Sequence, residues 1–166
     1  MNYAATRDAI VTKLQTVSGI GAVFGRPRWT NNWATFLSLF TMTNSHDATK
    51  DVVSLCWITR TTDDESSLSK RDESTVLVST AAQETWNFTL IYGFEDDDTY
   101  PSEYDFQILC DAVMAAFRSL GSASFNTAVV EQSDPLRMTS SGLFMFSDVM
   151  AHKAEFQLVI QNYTSS

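Results

Sequence analysis

The stretch from Trp86 to Leu120 constrains the fold of this chain more than any other. It opens with large apolar side chains at every second position, which is the pattern of a half-buried β-strand. These positions are Trp86, Phe88, Leu90, Tyr92 and Phe94. The acidic run Glu95–Asp98 then breaks the alternation. The pattern therefore predicts a strand over residues 85–94 that ends in an acidic loop.

A helix is predicted directly after this loop. Pro101 stops any continuing strand, and Ser102 with Asp105 predicts a helix start that resembles a capping box. Apolar residues then recur at helical spacing, and Gly121 provides the preferred closing residue. The apolar positions are Phe106, Leu109, Cys110, Val113, Phe117 and Leu120. Together, the strand and the helix predict a core in which a helix packs on a sheet.

The other segments predict a second main helix and several more strands. Residues 3–17 have helical periodicity, with one apolar face formed by Tyr3, Ile10, Leu14 and Val17. Apolar or alternating runs predict strands at 22–29, 33–41, 52–60, 75–80, 125–132, 143–147 and 151–162, with turn residues at 134–135 and 139–142. Consecutive strands with short connections favour antiparallel pairing. We therefore predict a single α+β domain over residues 1–166, with a mostly antiparallel sheet and two main helices packed on one face.

Residues 61–74 differ in composition from the rest of the chain. Leu68 is their only large apolar residue, and both charge signs are mixed with Ser and Thr. Such a segment buries too little apolar area to offset the entropy of ordering it. We predict a long projecting loop or hairpin, whose mixed charges would pair across subunits if the chain assembles into a ring. The candidate interface residues here are Asp63, Asp64, Glu65, Lys70 and Arg71.

Arg26, Arg28 and Trp29 form a second candidate interface. Arginine and tryptophan are enriched at the energetic centres of protein interfaces. An edge strand that carries charge on its solvent side, which discourages aggregation, explains the same residues equally well. Both interpretations stay open at this point.

The charge of the chain argues against two classes of partner. Its formal net charge is -9, whereas non-specific nucleic-acid binding requires clustered Lys and Arg. Adhesion to an anionic membrane is disfavoured for the same reason. The first residues do not have the pattern of a signal peptide, and no apolar run approaches the length of a membrane span. We expect the protein to be made in the cytoplasm and to bind no membrane.

The sequence contains no motif for catalysis or for binding a metal or cofactor. Cys56 and Cys110 are predicted to be reduced, buried thiols, and their spacing matches no zinc motif. The Glu95–Asp98 run is interpreted as a solvated loop, because it has no pattern of a calcium site. His46 and His152 are placed near loops or strand ends, outside any known motif. We therefore predict no enzymatic activity, no cofactor and no metal site.

The order of the elements resembles the tail terminator, or tail completion, proteins of long-tailed bacteriophages and related phage neck proteins. Val17–Phe24 looks like the end of that family's first helix and its first strand. Trp57–Arg60, followed by a polar excursion, looks like its central strand and long loop. Phe88–Phe94, the acidic loop, the helix through Phe106–Phe117 and the strand containing His152–Leu158 look like its second half.

This resemblance implies a structural virion protein located in the tail or neck and made in the host cytoplasm. It implies a six-fold ring of identical subunits that caps the tail tube protein and docks to a head-side connector. DNA would pass through the ring without specific binding, which the acidic charge favours. The alternatives are another neck, head-completion or tube protein of the same particle, or a small-molecule-binding α+β domain.

Overall fold

The computed structural model describes residues 3–28, 30–45, 48–61, 68–70, 79–96, 99, 101–118, 130–132, 134–146 and 149–165. Within these residues the helices are α1 (Tyr3–Leu14), α2 (Trp33–Phe40) and α3 (Ser102–Ala116). The strands are β1 (Ala22–Phe24), β2 (Thr41–Thr43), β3 (Asp51–Thr61), β4 (Leu68–Lys70), β5 (Ser79–Gly93), β6 (Val130–Gln132), β7 (Arg137–Phe146) and β8 (Val149–Ser165).

The centre of the sheet is the antiparallel set β3, β5 and β8. All 15 residues of β5 pair with β8, from Ser79 opposite Ser165 to Gly93 opposite Ala151. The other side of β5 pairs with β3, and β6 and β7 pair with the outer side of β8. Only the β1–β3 pair is parallel among the described strands. The prediction of an α+β fold with a mostly antiparallel sheet is therefore confirmed.

The first face of the sheet is covered by α1 and α3, as predicted. Alternate residues from Trp86 to Tyr92 in β5 and from His152 to Ile160 in β8 point to this face and are buried beneath the two helices. The largest buried side chains of this core are Trp86, Phe88, Phe106, Phe117 and Phe156. Cys56 and Cys110 are free thiols in the same core, and burial raises the pKa of each to about 12.

The opposite face carries α2, where the sequence predicted a strand over residues 33–41. The Asn32 side chain accepts a hydrogen bond from the Thr35 N–H at 3.0 Å, which caps the first turn. Phe36 and Phe40 are one helical turn apart, and both are buried against Phe146 at the end of β7. The run is apolar almost throughout, so its strand-like composition hid the helical spacing of these two rings.

Helix α3 confirms the predicted helix but not its predicted ends. The N-cap position is Pro101, whose side chain has no hydrogen-bonding atom. The capping box predicted at Ser102 and Asp105 is therefore wrong. Ser102 is instead the first helical residue, and its hydroxyl is bonded to Glu95. The helix ends at Ala116, and the predicted positions Leu120 and Gly121 lie outside the described residues.

Two predicted strand boundaries were also wrong. The strand predicted over 22–29 ends at Phe24, because the chain leaves the edge of the sheet before Pro27. Residues 139–142, predicted as a turn, lie inside β7, where Ser140, Ser141 and Gly142 each pair with a residue of β8. A register shift between Met138 and Ser140 accommodates the extra residue.

The segment predicted as a projecting arm is described only at Leu68–Lys70. These residues form β4, which pairs with β5 beyond the end of β3. The register along β5 moves by three between these two pairings, because Thr61 pairs with Thr85 and Leu68 with Ala81. Asp63, Asp64, Glu65 and Arg71 lie outside the described residues, and Lys70 is described only as backbone in β4.

The connection from α1 to β1 is held against β3 by a close backbone approach. Gly21 has a φ of 67°, and a Cβ atom there would lie 2.0 Å from the Ser54 carbonyl oxygen. Only glycine fits this position. The Ser54 hydroxyl donates to the Gly19 carbonyl at 2.9 Å, which fixes the same loop from the other side.

Candidate functional site

A buried polar group joins α3 to the sheet at the end of β5. His152 lies in β8 and faces α3, because it shares the alternation of the buried residues that follow it in the strand. Its Nε2 atom is 3.0 Å from the Ser102 hydroxyl, and its Nδ1 atom is 3.0 Å from a Glu103 carboxylate oxygen. The imidazole stacks on Phe106 at 4.9 Å between ring centres, with Phe94 on another side.

The surroundings of His152 determine its protonation. Burial lowers the pKa of the imidazole, and the nearby Glu103 carboxylate acts in the opposite direction without overcoming the effect. The ring is therefore neutral at neutral pH. A carboxylate can only accept, so Nδ1–H donates to Glu103 and Nε2 accepts from the Ser102 hydroxyl. The Ser102 oxygen in turn accepts from the Glu95 N–H at 2.8 Å.

Serine, histidine and glutamate thus stand in the order of a nucleophile, a base and an orienting acid. Ser102 is only 5% exposed and His152 only 2%, and neither residue lines the two cavities described below. The Ser102 oxygen also accepts from the Glu95 N–H, and its one proton is shared between His152 Nε2 and the Glu95 carbonyl oxygen, each 3.0 Å away. The geometry supports a latch that fixes the start of α3 to β8 and to the end of β5. The alternating pattern of β8 was the sequence signal that could have placed His152 in the core.

An exposed apolar strip lies beside this buried group. It consists of Met138, Leu143, Met145, Met150 and Phe94, and we call it the β7 strip. Leu143 pairs with His152 and Met145 with Met150, so these side chains lie on the same sheet face as α3. Leu143, Met145 and Met150 are 55%, 56% and 46% exposed. None of the described helices covers this part of the face.

Strand β7 also has an open backbone edge. It pairs with β8 on one side, and no described strand pairs with its other side. From Met138 to Phe146 the sequence contains no charged residue and no proline. Charge and proline are the usual means by which edge strands avoid pairing with other chains. The backbone N–H and C=O groups along this edge are therefore available to pair with a strand of another chain.

The predicted interface arginines follow the edge strand at the other margin of the sheet. The Arg28 guanidinium lies over the Phe24 ring at 5.1 Å. Arg26 and Arg28 are both exposed, and no carboxylate among the described residues forms an ion pair with either. Trp29 lies outside the described residues. The structure thus places the two arginines at the margin opposite β7.

A cavity of about 160 Å³ opens on the α3 side, near the beginning of β3. Its walls include Val52, Ile108 and Leu109, and Asp105 brings a carboxylate into it. Burial, followed by the charge of Asp105 and a hydrogen bond to it, raises the pKa of Tyr92 to about 12. The Tyr92 hydroxyl therefore remains protonated at neutral pH.

A second, more open cavity of about 430 Å³ lies around Val53, Gly93 and Val149. The ion pair between Lys50 and Glu95, at 2.6 Å, borders it. Both side chains are substantially exposed, so we assign this pair little energetic weight.

Comparison with known proteins assigns this chain to no family. No protein-family model and no curated protein matches this chain. Among the described residues, no cluster of three or more His, Cys, Asp or Glu side chains is arranged to hold a metal ion. Asp97 and Asp98 lie outside those residues, so the predicted absence of a metal at the acidic loop stays a prediction. No described helix is long and apolar enough to cross a membrane.

Proposed function

We propose that this chain is a structural subunit of the tail or neck of a long-tailed bacteriophage, where identical copies form a ring. The resemblance in the order of elements is one support for this proposal. The observation that carries it is the β7 strip beside the open edge of β7. Exposed apolar surface of this kind marks sites of protein association.

The two margins of the sheet differ, and this difference favours a ring over a symmetric dimer. One margin presents β7, which carries no charged side chain from Met138 to Phe146. The other presents short β1 followed by Arg26 and Arg28. Contacts between unlike surfaces are head-to-tail, and such contacts close into rings when the rotation allows. A six-fold ring is the number that the resemblance implies.

The chemistry of the surface is compatible with a passage for DNA. The net charge of -9 gives the ring no general attraction for phosphates, so DNA can move through it. A tail tube protein below and a head-side connector above are the partners that this position requires. We propose no catalytic step and no cofactor for this role.

Electron microscopy of assembled particles tests the proposal directly. We expect a ring of this chain at the head-proximal end of the tail tube, and particles with tails of uncontrolled length or without heads when the chain is missing. A chain found elsewhere in the particle, or absent from it, contradicts the proposal.

A matched pair of variants tests the surface that carries the argument. Leu143→Ser combined with Met145→Ser should abolish rings while the subunit stays folded. Tyr104→Ser changes a side chain that is even more exposed, on the outer side of α3, and serves as the control. Light scattering measures the assembly, and circular dichroism measures the fold. Equal loss of assembly in both variants would show that assembly does not depend specifically on the β7 strip.

A further inference from the structure

No described helix lies over the β7 strip, whereas the opposite margin of the same sheet carries one. Helix α1 lies on the same face as α3 and contacts β1. The Arg7 side chain of α1 packs closely on Gly25, directly after β1, since a Cβ atom added there would lie 2.8 Å from Arg7 Cδ. When the two margins meet, α1 of one subunit therefore comes to lie beside the β7 strip of the next.

Both margins also have an unpaired backbone edge. Strand β1 pairs with β3 on one side, and no described strand pairs with its other side. Strand β7 is open in the same way on the side away from β8. An open edge can accept one further strand through main-chain hydrogen bonds. The two edges thus supply the donors and acceptors that a shared ladder requires.

The strand directions favour pairing between these two edges. Strand β1 runs parallel to β3, and the following pairs β3–β5, β5–β8 and β8–β7 are all antiparallel. Strand β1 therefore runs opposite to β7. Copies joined margin to margin around a ring keep their strand directions, so β1 of one subunit meets β7 of the next as an antiparallel pair. Antiparallel pairing is slightly more stable per residue than parallel pairing.

The pairing across the sheet shows which part of β7 lies level with β1. The row of partners that begins at Ala22 ends at Gly142, and the row that begins at Phe24 ends at Ser140. The residues between Ala22 and Gly142 in their row are Leu55, Ile91 and Lys153. A Cβ atom added at Gly142 would meet no atom within 4 Å. This part of β7 therefore leaves room for a neighbouring strand.

The side chains on the two faces of such a pair also match. Val23 faces α1 and α3, which is the face of the β7 strip, and in this register it lies diagonal to Leu143. Ala22 faces α2 and lies diagonal to Phe144, which faces α2 as well. Diagonal neighbours on paired strands are within reach of large side chains. Each face of the pair thus brings apolar groups together.

We propose that β1 of one subunit adds as an antiparallel strand to the open edge of β7 of its neighbour, opposite Ser140–Gly142. Helix α1 of the same copy then covers the β7 strip, and the sheet continues from subunit to subunit. The inference rests on the proposed function, because it requires a neighbouring copy. The ladder stops at Phe24, where β1 ends. The contact joins unlike surfaces and is therefore head-to-tail.

A disulfide between the two edges tests this contact. Ala22→Cys and Gly142→Cys place thiols at the two ends of one row, and directly opposed residues of paired strands are close enough for a disulfide. The native Cys56 and Cys110 are buried. Under mild oxidation, a mixture of the two single variants should give linked dimers, whereas each variant alone should give none. A subunit that carries both changes should give a ladder of linked subunits.

Tyr104→Cys is the control for this experiment, because it places an exposed thiol on the outer side of α3. Mixed with Gly142→Cys, it should give no link. Rings that form without a link between residues 22 and 142 would overturn this contact and leave the ring itself standing. A chain that stays monomeric at every concentration would overturn the contact, while microscopy decides the position in the particle.

A charge at the same edge provides a test that needs no oxidation. Ser141→Lys changes an exposed side chain of β7 and should raise the concentration at half-assembly by about tenfold or more, because lysine at a strand edge opposes pairing. Ala115→Lys, at an exposed position of α3, is the control and should have little effect. Circular dichroism checks that both variants are folded. Equal effects of the two lysines on assembly would overturn the proposal.

Discussion

His152 and Leu143 are paired across two neighbouring strands, yet one is 2% exposed and the other 55%. Both side chains project to the same face of the sheet. The difference arises because α3 lies over β5 and β8, and no described helix lies over β7. On this side of the sheet, α3 packs on β5 and β8 but leaves β7 without a described helix over it. The covered part is sealed by aromatic packing and a polar latch, whereas the uncovered part carries three methionines and a leucine.

The comparison indicates a division of roles within one sheet. The covered strands hold the subunit together, because their side chains form a continuous core. On the α3 side β7 contributes no side chain to that core, so its side chains there are available for the proposed assembly, whereas Phe146 on its other face packs against α2. Methionine side chains are flexible and polarizable, which suits a surface that must fit a neighbour. The predictions below test this division, beginning with the largest expected effect.

Removing a buried ring from the covered part should be the most damaging change. Phe117 is fully buried and packs on Phe88 with 5.4 Å between ring centres. Phe117→Ala should lower the free energy of unfolding by about 3–5 kcal/mol, since it removes apolar contacts and leaves a cavity. A denaturant melt measures the change. A loss below roughly 1 kcal/mol would mean that α3 does not seal the core, and the contrast with β7 would fail.

The latch should make stability depend on pH. Burial lowers the folded-state pKa of His152 below its unfolded value of 6.5, so below that value the unfolded chain binds more protons. The stabilising contribution is therefore complete above about pH 6.5 and is lost as pH falls through the folded pKa. His152→Phe keeps an aromatic ring beside Phe106 and should flatten the stability profile in this range.

Unfolding midpoints measured from roughly pH 5 to 8 provide the test, across the range in which histidine titrates. His46 is the only other histidine, and it remains in the variant, so the difference between the two profiles isolates His152. Identical slopes in the two proteins would show that the imidazole does not titrate with folding.

The sequence predicted the covered part of the fold far better than the uncovered part. Strong alternation placed β5 and β8, an apolar run placed β3, and helical spacing placed α3, because these elements are buried in a continuous core. The fold class follows from those elements alone. Element ends were less predictable: Ser102 was expected to cap its own helix but instead bonds to Glu95, across a loop of the chain.

The failures share a physical cause. Helix α2 is short and apolar on most sides, so period alone could not distinguish it from a strand, and only its Asn32 cap carried the signal. The β7 residues Thr139–Gly142 favour a turn locally, but pairing with β8 keeps them extended. The latch and the Asp105 cavity depend on residues far apart in sequence, and convergence of that kind has no local signature.

The cap of α2 gives a prediction of intermediate size. Asn32→Ala removes the acceptor for the Thr35 N–H and should lower the free energy of unfolding by about 1 kcal/mol. Asn31→Ala changes the neighbouring asparagine, which is exposed and has no capping role, and should stay within about 0.5 kcal/mol of the parent. Equal effects from both changes would contradict the capping assignment.

Substitutions in the β7 strip should have the smallest effect on folding and the largest effect on assembly. Leu143→Ser removes a side chain that is 55% exposed, so little buried apolar area is lost within the subunit. The free energy of unfolding of the monomer should change by less than about 0.5 kcal/mol, the usual range for surface substitutions. Serine also keeps the β7 backbone able to pair with β8, since it neither removes an N–H group nor adds a charge. A denaturant melt of dilute subunit and light scattering of concentrated subunit measure the two effects on one preparation. A large loss of monomer stability would show that Leu143 belongs to the core, and unchanged assembly would show that the uncovered strand has no role in association.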